Sequence, residues 1–172
     1  QLLAAAGATN LPPFDLVLRD LNHHKLFAQA IQAMLREIGI QINIRVVVES
    51  TWFADVANGN FDLAIGATVS TLLDPSDYFN AWYRTDAPQN YSFWSNAAFD
   101  KLTDQIDVET DPAKRKALIR QAEEVMESSP PLLPIAWENI MDAWYKYVKG
   151  HNPKDYFGIY DVVRFDTVWL DK

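Results

Sequence analysis

Apolar positions fall into stretches of different period along the chain. After Pro12-Pro13, the run Phe14-Asp15-Leu16-Val17-Leu18 reads as a short strand. From His23 to Ile38, Phe27, Ala30, Ile31, Met34, Leu35 and Ile38 recur at steps of three and four, the spacing of an amphipathic helix. Asn22 stands as its N-cap and Gly39 as its end. Ile40-Gln41-Ile42-Asn43-Ile44-Arg45-Val46 then alternates apolar with polar residues and is rich in β-branched side chains, which predicts a strand with one buried face. Strand, helix and strand within about 35 residues make a βαβ unit, which implies parallel pairing and a right-handed crossover.

The pattern repeats once. Ser50 or Thr51 caps a short helix carrying Trp52, Phe53 and Val56, Gly59 closes it, and Phe61-Asp62-Leu63-Ala64-Ile65-Gly66 follows as a third strand. The segment Ala67-Thr68-Val69-Ser70-Thr71-Leu72-Leu73 has no charge and no helical cap. In an open α/β sheet, segments leaving the carboxyl ends of strands are where ligands sit, so this one is the first candidate site. Asp74-Pro75-Ser76-Asp77 and Asp111-Pro112-Ala113-Lys114 are both helix starts, with Asp at N-cap and Pro at N1. The second opens a long helix through Glu127, with Ala117, Leu118, Ala122, Val125 and Met126 along one side. Between them Asn96 caps a helix bearing Phe99, Leu102 and Ile106. Ser128-Ser129-Pro130-Pro131 breaks the chain, Leu132 to Trp137 is an edge strand or an irregular apolar run, and Ile140–Val148 is expected to be extended. With no repeat, low-complexity tract or linker, residues 1–172 read as a single domain with a βαβαβ open mixed sheet and helices on both faces, an α/β fold.

Composition narrows the function classes. A chain of 172 residues and 19.6 kDa buries about 70% of its unfolded surface on folding, enough for one core. Its six Trp, seven Tyr and nine Phe argue against disorder. Fifteen Lys and Arg against 23 Asp and Glu give a net charge of −8 with no basic stripe, which argues against a nucleic-acid partner. No apolar run reaches the ~18 residues of a membrane span. The absence of cysteine fits an oxidising compartment. Gln1-Leu2-Leu3-Ala4-Ala5-Ala6-Gly7 reads as the end of a helix with Gly7 at C′, continuing from an upstream part of a longer chain, and not as a secretory signal.

Catalytic chemistry finds little to stand on. There is no Cys, no Gly-x-Ser-x-Gly and no phosphate-binding glycine loop. His23 and His24 point about 100° apart on a helix and cannot share a metal, and His151 falls in a turn, so no metal site, cofactor or catalytic residue is expected. Asp74 with Asp77 suits helix capping, or a cation or amine near that helix end. Asp100 with Asp104 suits a solvated helix face. Glu138 follows an apolar run and Trp137, at a surface position or at a strand end facing a cleft. Most aromatics belong to the core, whereas Tyr91, Trp94 and Trp137 flank polar or strand-end positions where an amphipathic ring lines a ligand pocket.

These elements, in this order, are similar to the peptide/nickel (oligopeptide/dipeptide-type) family of ABC-importer substrate-binding proteins. The resemblance is carried by Phe61-Asp62-Leu63-Ala64-Ile65, by Asp74-Pro75, and by Asn90-Tyr91-Ser92-Phe93-Trp94-Ser95-Asn96-Ala97-Ala98-Phe99-Asp100-Lys101-Leu102. It continues through Thr110-Asp111-Pro112-Ala113-Lys114-Arg115, Ala122-Glu123-Glu124-Val125-Met126, Pro131-Leu132-Leu133-Pro134-Ile135, Val148-Lys149-Gly150 and Phe165-Asp166-Thr167-Val168-Trp169-Leu170. Nearly the whole chain takes part.

The resemblance implies one lobe, the C-terminal one, of a bilobal periplasmic-binding-protein-like fold whose lobes close on a solute about a hinge. It further implies an extracytoplasmic or periplasmic monomer, free or lipoprotein-anchored, that delivers a peptide or other small solute to a membrane permease. The ligand contacts it implies are Thr68, Val69, Ser70, Thr71, Leu72, Leu73 and Asp74, with Tyr91 and Trp94, and with Ala136, Trp137 and Glu138. Peptide-binding members place an Asp shortly before the Asp-Pro pair to hold the free amine. Here Ser70-Thr71-Leu72-Leu73 holds no acid, which leaves neutral, sugar-like, modified-peptide and metal-chelate ligands open. Two alternatives stand beside this reading. One is the sensor half of a transcriptional regulator; the other is a small α/β hydrolase using Ser70, Thr71 or Asp74.

Overall fold

A computed structural model describes residues 2–8, 11–68, 72, 74–137, 143–151 and 167–171. The fold divides into two compact units, residues 1–67 and residues 68–172.

The first unit contains α1 (Leu2–Ala5), β1 (Phe14–Arg19), α2 (Asn22–Glu37), β2 (Ile42–Val47), α3 (Glu49–Asn58) and β3 (Leu63–Ile65). The strands form a parallel sheet in the order β2-β1-β3. Phe14 pairs with Ile42 and Arg19 with Val47 on one side of β1, while Leu16 pairs with Leu63 and Leu18 with Ile65 on the other. A central parallel strand is covered on both faces, which explains why Leu16, Val17 and Leu18 are consecutive apolar residues and are only 2%, 0% and 0% exposed. Each contributes about 1.5–3 kcal/mol by leaving water.

α2 packs Phe27, Ala28, Ile31 and Leu35 against Leu16, Leu18, Ile42 and Ile65. The inward stripe is therefore rotated from the expected one: Ala28 is buried, while Met34 and Ile38 are 67% and 58% exposed. Two expected caps are also displaced. Asn22 is the first residue of α2, with Leu21 in extended backbone before it, and α3 starts at Glu49 after Val48; neither end has a side-chain cap. Gly39 and Gly59 end their helices at φ +88° and +71°, a left-handed conformation that glycine adopts without a Cβ clash. β3 is shorter than its apolar run because Asp62 places a carboxylate oxygen on the Asp15 amide at 2.8 Å, where a strand would offer a carbonyl.

The second unit contains α4 (Pro75–Tyr78), which passes into a π-helical turn (Phe79–Tyr83), then α5 (Ala97–Val108), α6 (Pro112–Ser128) and an antiparallel pair, β4 (Val148–Lys149) with β5 (Trp169–Leu170). Phe79, Tyr83, Phe99, Ile106 and Ala122 form its core, with Trp82, Trp94, Leu102 and Leu118 packed around them. Phe79 and Trp94 both meet Phe99 edge to face, at ring separations of 5.2 and 5.1 Å. Asn96 and Asp111 cap α5 and α6 as the sequence predicts, each taking two backbone N–H groups on one carboxamide or carboxylate oxygen. Residues 133–137 are irregular, and of the Ile140–Val148 stretch only 143–148 lie within the described residues, with β4 beginning at Val148. Among the described residues no helix is long and apolar enough to cross a membrane.

Candidate functional site

The uncharged segment after β3 begins at Gly66. A Cβ there would lie 2.9 Å from Trp52 Cζ2 and 3.0 Å from its Cη2, so glycine is what allows the buried indole to close over the end of β3. Beside it Arg19, the last residue of β1, pairs with Glu49 at 2.9 Å and lies over the Trp52 ring at 5.4 Å. Among the described residues its Nε is buried without a hydrogen-bond partner. This cluster at the carboxyl end of β1 escaped the sequence reading. Its signal is an Arg directly after a strand-like run.

Thr68 is the first residue of the second unit. The Tyr78 hydroxyl donates to its carbonyl at 3.5 Å, and the Tyr83 phenol is in hydrogen-bond contact with its side chain. Burial raises the pKa of Tyr83, opposed by that contact with Thr68. The π turn explains how both rings reach one residue. Over five residues an α-helix leaves two side chains about 140° apart, whereas a turn closed by i→i+5 bonds brings Tyr83 back toward the side of Tyr78.

Farther along, the Leu72 amide donates to Asp77 Oδ2 at 3.2 Å. Asp74 Oδ1 accepts from the Ser76 amide at 2.9 Å, from the Ser76 hydroxyl, and from Arg115 Nη2 at 2.7 Å. The Arg115 guanidinium, followed by the Ser76 hydroxyl, holds the Asp74 carboxyl down at about 2. Asp74 and Asp77 are thus both engaged at the start of α4, one as cap and one on the preceding backbone. Val69, Ser70, Thr71, Leu73 and Glu138 lie outside the described residues.

The remaining predicted contacts form separate groups. Tyr91 packs on Trp82 at 6.1 Å, edge to face, and Trp94 leans on Phe99 while its Nε1 donates to Ser129 Oγ at 3.4 Å. Asn90 organises this stretch: its Nδ2 donates to the carbonyls of Arg84 and Trp94, and its Oδ1 accepts from Ser92 Oγ and from the Trp94 amide. The aromatic this arrangement turns outward is Phe93, 60% exposed at φ +55°. Ala136 and Trp137 end the irregular stretch, with Trp137 93% exposed. Asp100 and Asp104 are engaged and not merely solvated, for Asp100 accepts the Thr85 amide at 2.9 Å and Asp104 pairs with Arg84.

Chemically, the described positions offer neutral hydrogen-bonding groups, apolar surface and one carboxylate, that of Asp74, already held by Arg115. Ser76 Oγ donates to the Asp74 carboxylate and accepts from the Arg115 guanidinium.

Comparison with known proteins places this geometry. The family model described as bacterial extracellular solute-binding proteins, family 5 Middle, matches residues 1–90. The "Probable deoxycholate-binding periplasmic protein YgiS" of Escherichia coli K12 is 31% identical over 161 residues, covering 90% of this chain and 30% of that protein. The "Dipeptide-binding protein DppE" of Bacillus subtilis 168 is 26% identical over 165 residues, covering 94% and 29%. Among solved structures, HbpA2 from Haemophilus parasuis superposes with a TM-score of 0.77 at 22% identity, over 98% of this chain and 34% of that one. The periplasmic binding protein DppA from Helicobacter pylori, in complex with the peptide STSA, gives 0.75 at 24% identity, over 99% and 33%. The chain spans about 30% of the length of the curated relatives it matches. The structural likenesses establish the fold, and the match over 1–90, more than half the sequence, establishes the family: this chain belongs to family 5 of the bacterial extracellular solute-binding proteins.

Proposed function

We propose that the chain is the C-terminal lobe of an extracytoplasmic solute-binding protein that captures a small solute and passes it to an ABC-type membrane permease, without covalent chemistry. The relatives' names support a peptide or an amphipathic acid such as deoxycholate as the solute class. In this reading Thr68 to Asp74 contribute ligand contacts, together with Tyr91, Trp94 and the 136–138 stretch, and the rest of a longer chain supplies the other lobe. The observation that carries it is the segment after β3, uncharged through residue 73 and closed by Asp74, in which Thr68, Leu72 and Asp74 are each fixed by α4, the π turn or α6. A backbone fixed before the ligand arrives suits recognition of a neutral part of a ligand. Neither the family match nor the relatives support the regulator or hydrolase alternatives.

The test is a thermal-shift panel on the longest chain the gene encodes, with sodium deoxycholate, Ala-Ala, Ala-Ala-Ala, maltose and nickel-histidine as probes. A solute bound only by the native state at 100 times its Kd adds about 2.7 kcal/mol of stability and raises the melting temperature. A rise with deoxycholate or a peptide is expected, and a flat response to every probe at millimolar concentration overturns the proposal.

A further inference from the structure

We propose that Asn58 is a self-modification site: the Gly59 backbone nitrogen attacks its carboxamide and converts Asn58 to aspartate and isoaspartate, at a rate set by the clasp of Arg45 on the end of α3. The inference stands independently of the solute-binding reading above.

Asn58 is the one asparagine in the sequence followed by glycine. It is the last residue of α3 and is exposed, and Gly59 follows it in the left-handed region at φ +71°. With no Cβ, Gly59 leaves its own backbone nitrogen open to the approach of a side chain. In the reaction Gly59 N bonds to Asn58 Cγ, the bond from Cγ to Nδ2 breaks, and Nδ2 leaves as ammonia with the proton from Gly59. Water then opens the five-membered imide. Opening at Cγ gives aspartate, opening at the main-chain carbonyl gives isoaspartate, and nothing is oxidised or reduced.

The folded helix end opposes this attack. Helical side chains slant toward the N-terminus, and Asn58 Nδ2 is held on that side by the Ala54 carbonyl at 2.8 Å. The last turn must therefore open before Cγ meets Gly59 N. The Gly59 amide itself is weakly held, 3.4 Å from the Val56 carbonyl, against about 2.9–3.0 Å for an ordinary N–H···O bond. Resistance comes from the residues on either side. The Asn60 amide donates to the Asp55 carbonyl at 2.9 Å. Arg45 Nη2 donates to the Asn60 carbonyl at 2.6 Å, and its Nη1 donates to Asp55 Oδ2 at 2.5 Å. Arg45 belongs to β2, so one guanidinium fastens both flanks of the Asn58–Gly59 bond to the sheet. Local opening costs least at element ends, and this clasp sets the cost here. Isoaspartate lengthens the main chain by a methylene, which draws the Asn60 carbonyl off Arg45. Aspartate places a negative charge at the negative end of the helix dipole.

The experiment holds the longest encoded chain in warm, mildly alkaline buffer over several days and follows every asparagine by peptide mapping, with fragmentation that separates aspartate from isoaspartate. Arg45→Lys and Asp55→Ala, each checked for folding by circular dichroism, are run beside the unaltered protein. The unaltered chain unfolded in guanidinium chloride gives the rate without the fold. The expected result is a gain of about one mass unit at Asn58 before any other asparagine, with isoaspartate among the products. The reaction is expected to be several-fold faster in the unfolded chain and intermediate in both variants. A Lys ammonium cannot hold the Asp55 carboxylate and the Asn60 carbonyl as the planar fork does. No gain at Asn58 in the folded protein, or another asparagine reacting first, overturns the site. A rate in both folded variants equal to that of the unaltered protein overturns the control by Arg45.

Discussion

Asn90 closes both backbone groups of Trp94: its Nδ2 donates to the Trp94 carbonyl at 2.7 Å and its Oδ1 accepts the Trp94 amide at 3.2 Å. A third bond, from Nδ2 to the Arg84 carbonyl at 3.2 Å, anchors the loop to the end of the π turn. Asp in this place keeps the acceptor but loses both donated bonds and sets a carboxylate against two carbonyl oxygens. Asn90→Asp is expected to destabilise by about 2 kcal/mol in urea unfolding, more than Ser92→Ala, which removes only an exposed partner. Equal effects from the two variants would contradict the role given to Asn90.

That closure holds Phe93 in the left-handed region at φ +55°, which is unfavourable for a bulky side chain. Phe93→Ala keeps the strain and Phe93→Gly removes it. Elsewhere Gly costs about 0.4–1 kcal/mol relative to Ala through the unfolded chain. Here the order is expected to reverse, with the glycine variant more stable than the alanine variant by about 1 kcal/mol in thermal melts. The ordinary order would show that Phe93 is unstrained.

Gly66→Ala forces a Cβ to within 3 Å of the Trp52 ring, a buried group with little room to retreat. A loss of about 1–3 kcal/mol is expected, together with a changed Trp52 emission spectrum, read against a Trp52→Phe background. A change under about 0.5 kcal/mol would mean that the indole does not close the end of β3.

Asp74 links stability to pH. Its folded pKa, about 2, lies below the ordinary 3.8, so the ionised form is the one the fold favours. Its contribution is complete above pH 4 and is lost as pH falls through 2. Because the side chain is 40% exposed, solvent screening reduces the effect to about 1 kcal/mol. Melts of the wild type and Asp74→Asn between pH 5 and pH 2 are expected to converge as the pH drops. Parallel curves would remove Asp74 from the acid response.

The parts of this architecture that act locally are legible in the residues. Asp74, Asn96 and Asp111 announce helix starts because a short polar side chain bonds to amides two or three residues on. The strands β1 and β2 show in their β-branched and apolar runs. Where no side chain does the capping, as at Leu21 and Val48, the helix start is set by the extended backbone before it, and nearby Asn22 and Ser50 mislead. Non-local partnerships leave no spacing signal. Asp100 and Asp104 look solvated until the π turn brings Thr85 and Arg84 to them, and Arg115 looks like an ordinary helix residue until α4 folds beside α6. The prominence of Tyr91 and Trp94 reflects their aromatic character, whereas exposure belongs to Phe93, which depends on a backbone angle.

The most direct test of the central claim is an equilibrium titration of the longest encoded chain with the solute selected by the thermal-shift panel, followed by mass spectrometry of the released solute. The account predicts saturable binding of one solute per chain, weakened by Thr68→Ala with Thr71→Ala, and recovery of the solute chemically unchanged. A solute recovered cleaved or modified, or an affinity indifferent to those substitutions, would contradict it.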